Sequence, residues 1–272
     1  MKDYLEFEFF DNSTVQHETM IAFLSELGFE GFEEEGTVLR AYIREDQFNQ
    51  QAFDETLQHL QDVAYTRSVV AQVNWNQQWE EQFQPVIIED FAAIRAHFHQ
   101  PITNVLHELV ITPKMSFGTG HHATTYMMIQ LMKEVNFLAK KVIDFGTGTD
   151  VLAILAEKLG AQSVLAIDND EWSIENSREN IEQNHCSKID IVLADELIGN
   201  QSHDVIIANI NLNIILASLP AIYSIAKTDA PILLSGFLAT DELALRDALA
   251  AHAIDVVKVL HRDGWIAVLA HK

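Results

Sequence analysis

The sequence predicts an α/β protein, a doubly wound and mostly parallel sheet preceded by a smaller α+β unit. From Lys141 onward, short apolar runs of strand length alternate with helical segments over ~130 residues. The first of these strands runs straight into a glycine turn, Asp144-Phe145-Gly146-Thr147-Gly148. Residues 1–72 carry a different order, βαββαβ, that of a ferredoxin-like split unit.

In the first unit, Tyr4 to Phe10 alternates apolar and acidic residues, as a strand with one wet face does. Met20, Ile21, Leu24 and Leu27 recur at helical spacing over Glu18 to Leu27, and Gly28 is a helix stop. Phe29 to Glu34 and Thr37 to Ile43 read as strands joined at Glu35-Gly36. Phe53 to Leu60 is a second helix and Ala64 to Val73 a last strand. Residues 73–84 place Trp75, Trp79 and Phe83 on one helical face, which predicts a linker helix.

A second unit is expected over residues 85–272. Pro85 to Ile88, Ala92 to Phe98 and Glu108 to Ile111 are short strands, and Tyr126 to Leu131 is a helix capped by Thr124 or Thr125. Strands over Lys141–Phe145, Ser163–Asp168, Ile189–Leu193, Val205–Ile210 and Pro231–Ser235 alternate with helices over Val151–Leu159, Glu171–Asn184, Ile214–Ile225 and Glu242–His252. Ile254 to His261 and Trp265 to Ala270 close the chain as an antiparallel pair.

Composition sets the outer limits. The 272 residues are 48% apolar and 21% charged, as in a globular protein. No apolar run approaches the ~18 residues of a membrane span, and the acidic start does not read as a signal peptide. A single cysteine, Cys186, forms no internal disulfide, so a cytoplasmic location is expected. Seventeen Lys and Arg against 40 Asp and Glu give a net charge of −23. That field disfavours direct nucleic-acid binding and attracts basic partners.

The glycine turn suits a nucleotide. Glycine lets the backbone approach a ligand, and the helix start beyond it offers unpaired N–H groups. Asp168 ends the next strand 22 residues after Gly146, where a carboxylate can accept both ribose hydroxyls. A dinucleotide fingerprint needs a third glycine where this chain has Val151. Asp144, two residues before Gly146, instead suits the ammonium of adenosylmethionine. The loop Ser116 to Thr125 is small and polar, as a lid over a ligand would be. Asn209 closes a buried strand where ligands sit in such sheets.

Phe117-Gly118-Thr119-Gly120-His121-His122-Ala123-Thr124-Thr125 matches the pattern F-G-T-G-x-H-x-T-T. With the Trp75–Trp79 segment, Val142 to Leu152, Asp168 and Ala208-Asn209-Ile210, it makes nearly the whole chain resemble the PrmA family, which methylates amino groups of ribosomal large-subunit protein eleven. The resemblance implies a Rossmann-like class I methyltransferase domain using S-adenosylmethionine. It implies cofactor contacts by Thr125, Gly146, Asp168 and Asn209, completed by Gly148 and Phe117, with Asp195 at the adenine edge. Asn209 is the candidate to align the amine, and His121 or His122 is a candidate proton acceptor. The N-terminal unit, with Glu30, Glu33, Glu34 and Glu35, would recognise a basic ribosomal protein. No metal site is expected.

One position departs from that family. Enzymes of the family it resembles usually have G-x-G-x-G, and here Asp150 stands at the third glycine's place. The expectation is an N-cap carboxylate that brings charge and bulk into the pocket and weakens cofactor binding. A methyltransferase for another amine, and a cofactor-binding protein without activity, are the other readings.

Overall fold

Alternation along Tyr4–Phe9 buries Leu5, Phe7 and Phe9 on one face and leaves the other wet. The computed structural model describes residues 4–10, 14–59, 63–70, 83–114, 118–197 and 201–272. They form two compact units, Met1–Gln82 and Phe83–Lys272.

The first unit has strands β1 (Tyr4–Phe9), β2 (Gly31–Glu35), β3 (Val38–Arg44) and β4 (Tyr65–Val70), with helices α1 (Thr14–Glu26) and α2 (Gln50–His59). The strands pair antiparallel in the order β2-β3-β1-β4, the ferredoxin-like arrangement. Phe7 is the hub of its core, with the rings of Phe53, Phe48, Phe29 and Tyr65 at 4.6, 5.1, 5.4 and 5.7 Å. Within the expected linker helix only Phe83 and Gln84 are described; they are not helical and belong to the second unit. Trp75 and Trp79 lie outside the described residues.

The second unit opens with a small sheet of β5 (Val86–Ile88), β6 (Ala92–Arg95) and β7 (His107–Val110), then helix α3 (Ala123–Met132). The large sheet uses β8 (Lys141–Phe145), β9 (Ser163–Asp168), β10 (Ile189–Leu193), β11 (Val205–Asn209), β12 (Pro231–Leu238), β13 (Asp255–Arg262) and β14 (Trp265–His271). Its helices are α4 (Val151–Lys158), α5 (Glu171–Gln183), α6 (Leu212–Ile225) and α7 (Glu242–Ala251). The strand order is β10-β9-β8-β11-β12-β14-β13. The first five strands are parallel; β14 lies between β12 and β13 and runs antiparallel to both.

The central strands are apolar throughout because both of their faces are covered. In β11, Val205 and Ile207 join the core shared with α3 and α4, while Ile206 and Ala208 join the core shared with α6 and α7. Pairing aligns Phe145 with Ile167 and with Ala208, so β8, β9 and β11 end level. The order reverses between β8 and β11, and the crevice beyond their carboxyl ends is where such sheets bind ligands.

Phe7→Ala should cost the first unit about 3–5 kcal/mol. Hydrogen exchange would show faster exchange for β1 and β3 amides while β8 and β11 keep their protection. Equal loosening of both sheets would refute separate cores.

Candidate functional site

The crevice is a cleft of about 450 Å³. Its floor is the turn between β8 and α4. Gly146, Gly148 and Asp150 all take left-handed backbone, with φ of 76°, 60° and 64°. At Gly146 a Cβ would lie 2.0 Å from Ile210 Cγ2, so a side chain there would displace the segment that carries Asn209. The Gly148 N–H donates to Asp168 Oδ2 at 2.8 Å, and the Asp170 N–H donates to Asp168 Oδ1 at 3.1 Å. Each carboxylate oxygen keeps a further lone pair for a ligand hydroxyl.

Helix α5 braces the turn from outside. Ser177 Oγ donates to the Gly148 carbonyl at 2.7 Å, and Asn180 Nδ2 donates to the Thr149 carbonyl at 2.9 Å. Asn180 Oδ1 also accepts from the Thr112 N–H at 2.9 Å, tying the loop after β7 to the same helix. Thr149 Oγ1 donates to the Gly118 carbonyl at 2.8 Å, which seats the glycine loop on the turn.

Of the residues singled out in the sequence, His122, Thr125, Gly146, Asp168, Asp195 and Asn209 line the cleft. Thr125 Oγ1 and Asn209 Oδ1 are buried without a hydrogen-bond partner among the described residues. Two unsatisfied polar atoms on residues that line one cleft fit a polar ligand. Asp144 and Gly148 do not line it. Asp144 is buried behind the wall, where its Oδ2 accepts from Thr147 Oγ1 at 2.8 Å, and Gly148 acts through Asp168. Phe117 lies outside the described residues.

The structure corrects three local expectations. Helix α3 is capped by His122, whose Nδ1 accepts the Thr124 N–H at 3.3 Å, rather than by Thr124 or Thr125. His121 makes loop hydrogen bonds, with Nε2 2.8 Å from the Gln84 carbonyl oxygen, and does not line the cleft. Asp150 stands at the start of α4 but its side chain caps nothing. With left-handed backbone the carboxyl turns inward, away from the helix N–H groups, and meets Thr147 Oγ1 at 2.5 Å. It is buried and brings neither bulk nor charge to the cleft surface. Aspartate is among the few residues besides glycine that adopt this backbone readily.

Sequence reasoning missed Gly236, Trp265 and Ile214, which line the wall together with Ile210 of the matched Ala208-Asn209-Ile210 segment. Gly236 sits at a register shift in β12, and a Cβ there would meet the Ile210 carbonyl oxygen at 2.3 Å. A lone glycine inside an apolar strand was its available signal. Trp265 stands against the His122 ring at 4.6 Å, a contact no local pattern announces.

Burial pushes the Asp144 and Asp150 carboxyl groups up to about 7 each, against the opposing Thr147 hydrogen bond. Nearby Asp168 raises both, and Asp150 further raises Asp144. Burial also lowers His122, keeping it neutral.

The reversed strand order, the glycine turn and the strand-end acid define a Rossmann-like methyltransferase that uses S-adenosylmethionine. Known proteins narrow the class. The family described as "Ribosomal protein L11 methyltransferase (PrmA)" matches residues 8–272, and the chain belongs to this family. A ribosomal protein L11 methyltransferase of Phocaeicola vulgatus is 38% identical, over 94% of each chain. One from Porphyromonas gingivalis is 38% identical over 93% of this chain and 89% of its own. The crystal structure of a ribosomal protein L11 methylase from Lactobacillus delbrueckii superposes with a TM-score of 0.65 at 27% identity, covering 69% of this chain and 98% of that one. A Pyrococcus furiosus methyltransferase, 19% identical with a TM-score of 0.50 over 60% of this chain and 88% of its own, shares the fold.

The raised carboxyls set a pH dependence. The folded pair holds a proton up to about pH 7, whereas unfolded aspartate loses its proton near ~3.9. This pair's contribution to stability is therefore fullest below about pH 4 and is lost as pH rises through about 7. Asp150→Asn should flatten that slope by up to ~1.4 kcal/mol per pH unit. Urea midpoints between pH 4 and 8 read this directly, and an unchanged slope would show that Asp150 is ionised when folded.

Proposed function

We propose that this chain transfers methyl groups from S-adenosylmethionine to lysine side-chain and α-amino groups of ribosomal protein L11. The observation that carries the reading is the cleft at the switch point, where Thr125, Gly146, Asp168 and Asn209 converge with two unpaired oxygen atoms. In this reading Asp168 accepts the ribose hydroxyls, Asp195 meets the adenine edge, and Gly146 leaves the room the ligand needs.

The bound cofactor supplies a methyl group already activated by its sulfonium. What the protein must add is alignment and a neutral amine. A lysine holds its proton to pH ~10.4 and an α-amino group to ~8. Phe145, Val151, Leu152, Ile210, Ile214 and Trp265 give the cleft apolar walls, which disfavour an ammonium. Asn209 Oδ1 can accept one amine hydrogen and so aim the nitrogen lone pair. Asp168, Asp195 and Gly146 would hold the cofactor, whose sulfonium would supply the methyl group to that nitrogen; the displaced sulfur would stay with the nucleoside as a neutral thioether and the amine proton would leave to solvent. His122 is a weaker candidate for taking that proton, because the lone pair of its Nδ1 is engaged in capping α3.

The N-terminal unit is the proposed docking surface. Its acids are braced in place: Glu34 faces His17 Nδ1 at 3.1 Å, Glu35 pairs with Arg40 at 3.0 Å, and Glu33 and Glu30 accept from Tyr42 and Tyr4. Held at the edge of the sheet around β2, they present negative charge to a basic protein.

Radiolabelled methyl transfer to ribosomal large-subunit proteins tests the reading, with label expected in L11. Asn209→Ala should lower kcat by roughly 10²-fold or more, the scale of losing one positioning contact. Deleting residues 1–72 should abolish labelling of L11 and leave cofactor binding intact. Full-rate labelling by the truncated chain would refute the docking role, and labelling of some other amine would redirect the substrate assignment.

A further inference from the structure

Behind the cleft wall lies a cluster that methyl transfer, as derived above, does not use. Thr147 lines the cleft, and its hydroxyl oxygen stands 2.8 Å from Asp144 Oδ2 and 2.5 Å from Asp150 Oδ1. Both carboxyl groups are buried, and their outer oxygens, Asp144 Oδ1 and Asp150 Oδ2, have no geometric hydrogen-bond partner among the described residues. The groups acting on the pair are few. Asp168 at the end of β9 acts on both, the Ala153 backbone of α4 on Asp144, and Ser177 of α5 on Asp150. Ser177 directs its own proton to the Gly148 carbonyl. Asp150 acts in turn on the half-buried Cys186 thiol beyond α5. Among the described residues, none of the largest influences on either carboxyl is a cation.

Proton counting decides the state of this cluster. Thr147 has one hydroxyl hydrogen and two carboxyl neighbours. If both carboxyls were ionised, one short oxygen–oxygen contact would lack a hydrogen, and two buried negative charges would face each other unpaired. One added proton resolves both defects. One carboxyl O–H donates to Thr147 Oγ1, and the Thr147 O–H donates to the other carboxylate. The cluster then carries a single negative charge.

We propose that Asp144, Thr147 and Asp150 share one removable proton, and that through it Asp150 makes the cleft wall sense the charge of the bound nucleoside. A sulfonium in the cleft favours the doubly ionised cluster, whose proton passes to solvent. The demethylated product has a neutral thioether sulfur and lets the proton return. Linkage is reciprocal, so raising the pH favours the cationic substrate over the neutral product. Asp150 is thus a positioning residue for charge discrimination, acting through Thr147 and never touching the ligand. This role rests on S-adenosylmethionine occupying this cleft.

The test is titration calorimetry of the full chain with S-adenosylmethionine and with S-adenosylhomocysteine. Each titration is run in two buffers of different ionisation enthalpy, from pH 6 to 8. The two ligands share the methionine ammonium and carboxylate, and subtracting the Asp150→Asn values cancels the ligands' own titration and that of His122. The wild type should release more protons on binding the substrate than on binding the product. Its affinity ratio, substrate over product, should rise on the order of fivefold across the range, the low end of typical site couplings. Asp150→Asn keeps a residue suited to left-handed backbone, and Asp150→Gly restores glycine; both should lose the extra proton release and the pH trend. Thermal unfolding without ligand checks that the variants are folded. Equal proton release by the two ligands, or an unchanged difference in both variants, overturns the inference. If Asp168→Ala leaves both affinities untouched, the ligand binds elsewhere and the inference falls with the site, a result distinct from binding here without a proton difference.

Discussion

Gly146, Gly148 and Asp150 take left-handed backbone at alternate positions of one five-residue turn, and much else in the second unit follows from it. For most residues this conformation costs about 1–2 kcal/mol, so such a sequence of angles restricts which side chains the turn accepts. Each angle has a separate consequence. At Gly146 it brings the backbone against Ile210. At Gly148 it aims an N–H at Asp168. At Asp150 it turns a carboxyl inward and lets α4 begin at the next residue. The turn thereby sets the positions of a strand end, the cleft-lining acid Asp168 and a helix start together.

Such a turn leaves backbone groups pointing away from any ligand, and these need partners of their own. Helix α5 supplies them through Ser177 and Asn180, and Thr149 reaches back to Gly118. The same Asn180 holds the loop after β7. One buried amide therefore keeps two segments in register across the outer face of α5. The buried carboxyls of Asp144 and Asp150 are the strained part of this arrangement, since burial favours their neutral forms. A fold that keeps them there accepts a pH-dependent stability at the point closest to its ligand.

The parallel sheet was legible because its strands are apolar on both faces and its helices fall between them at regular intervals. Asp168 and Asn209 were legible because each is a polar residue ending an apolar strand, and strand ends are where this architecture binds ligands. Asp144 was misjudged for a related reason. Its place in the strand was clear, but side chains alternate between faces, and its face is the one packed against α4 rather than the cleft. Asp150 read as a helix cap because a carboxylate before a helix usually is one; the sign of φ, which no residue pattern reports for aspartate, overrode it. The Trp265 wall depends on β14 returning beside β12 and on the Trp265 contact with His122, made across more than a hundred residues.

The lining of the cleft also explains how little proton chemistry its surface needs to perform. Among the described lining residues only His122, Asp168 and Asp195 are ionisable. His122 caps a helix through Nδ1, and both oxygens of Asp168 already accept backbone N–H groups. Their first roles are structural orientation. A sulfonium is a good leaving group without protonation, and an amine is a good nucleophile once it is neutral. In the proposed mechanism, alignment by Asn209 and drying by the apolar wall suffice for the transfer, and the ionisable groups are free to fix the ligand's place. The proton-sharing pair sits behind that surface rather than in it. There it influences which charge state of the nucleoside is held while leaving the transfer itself to geometry.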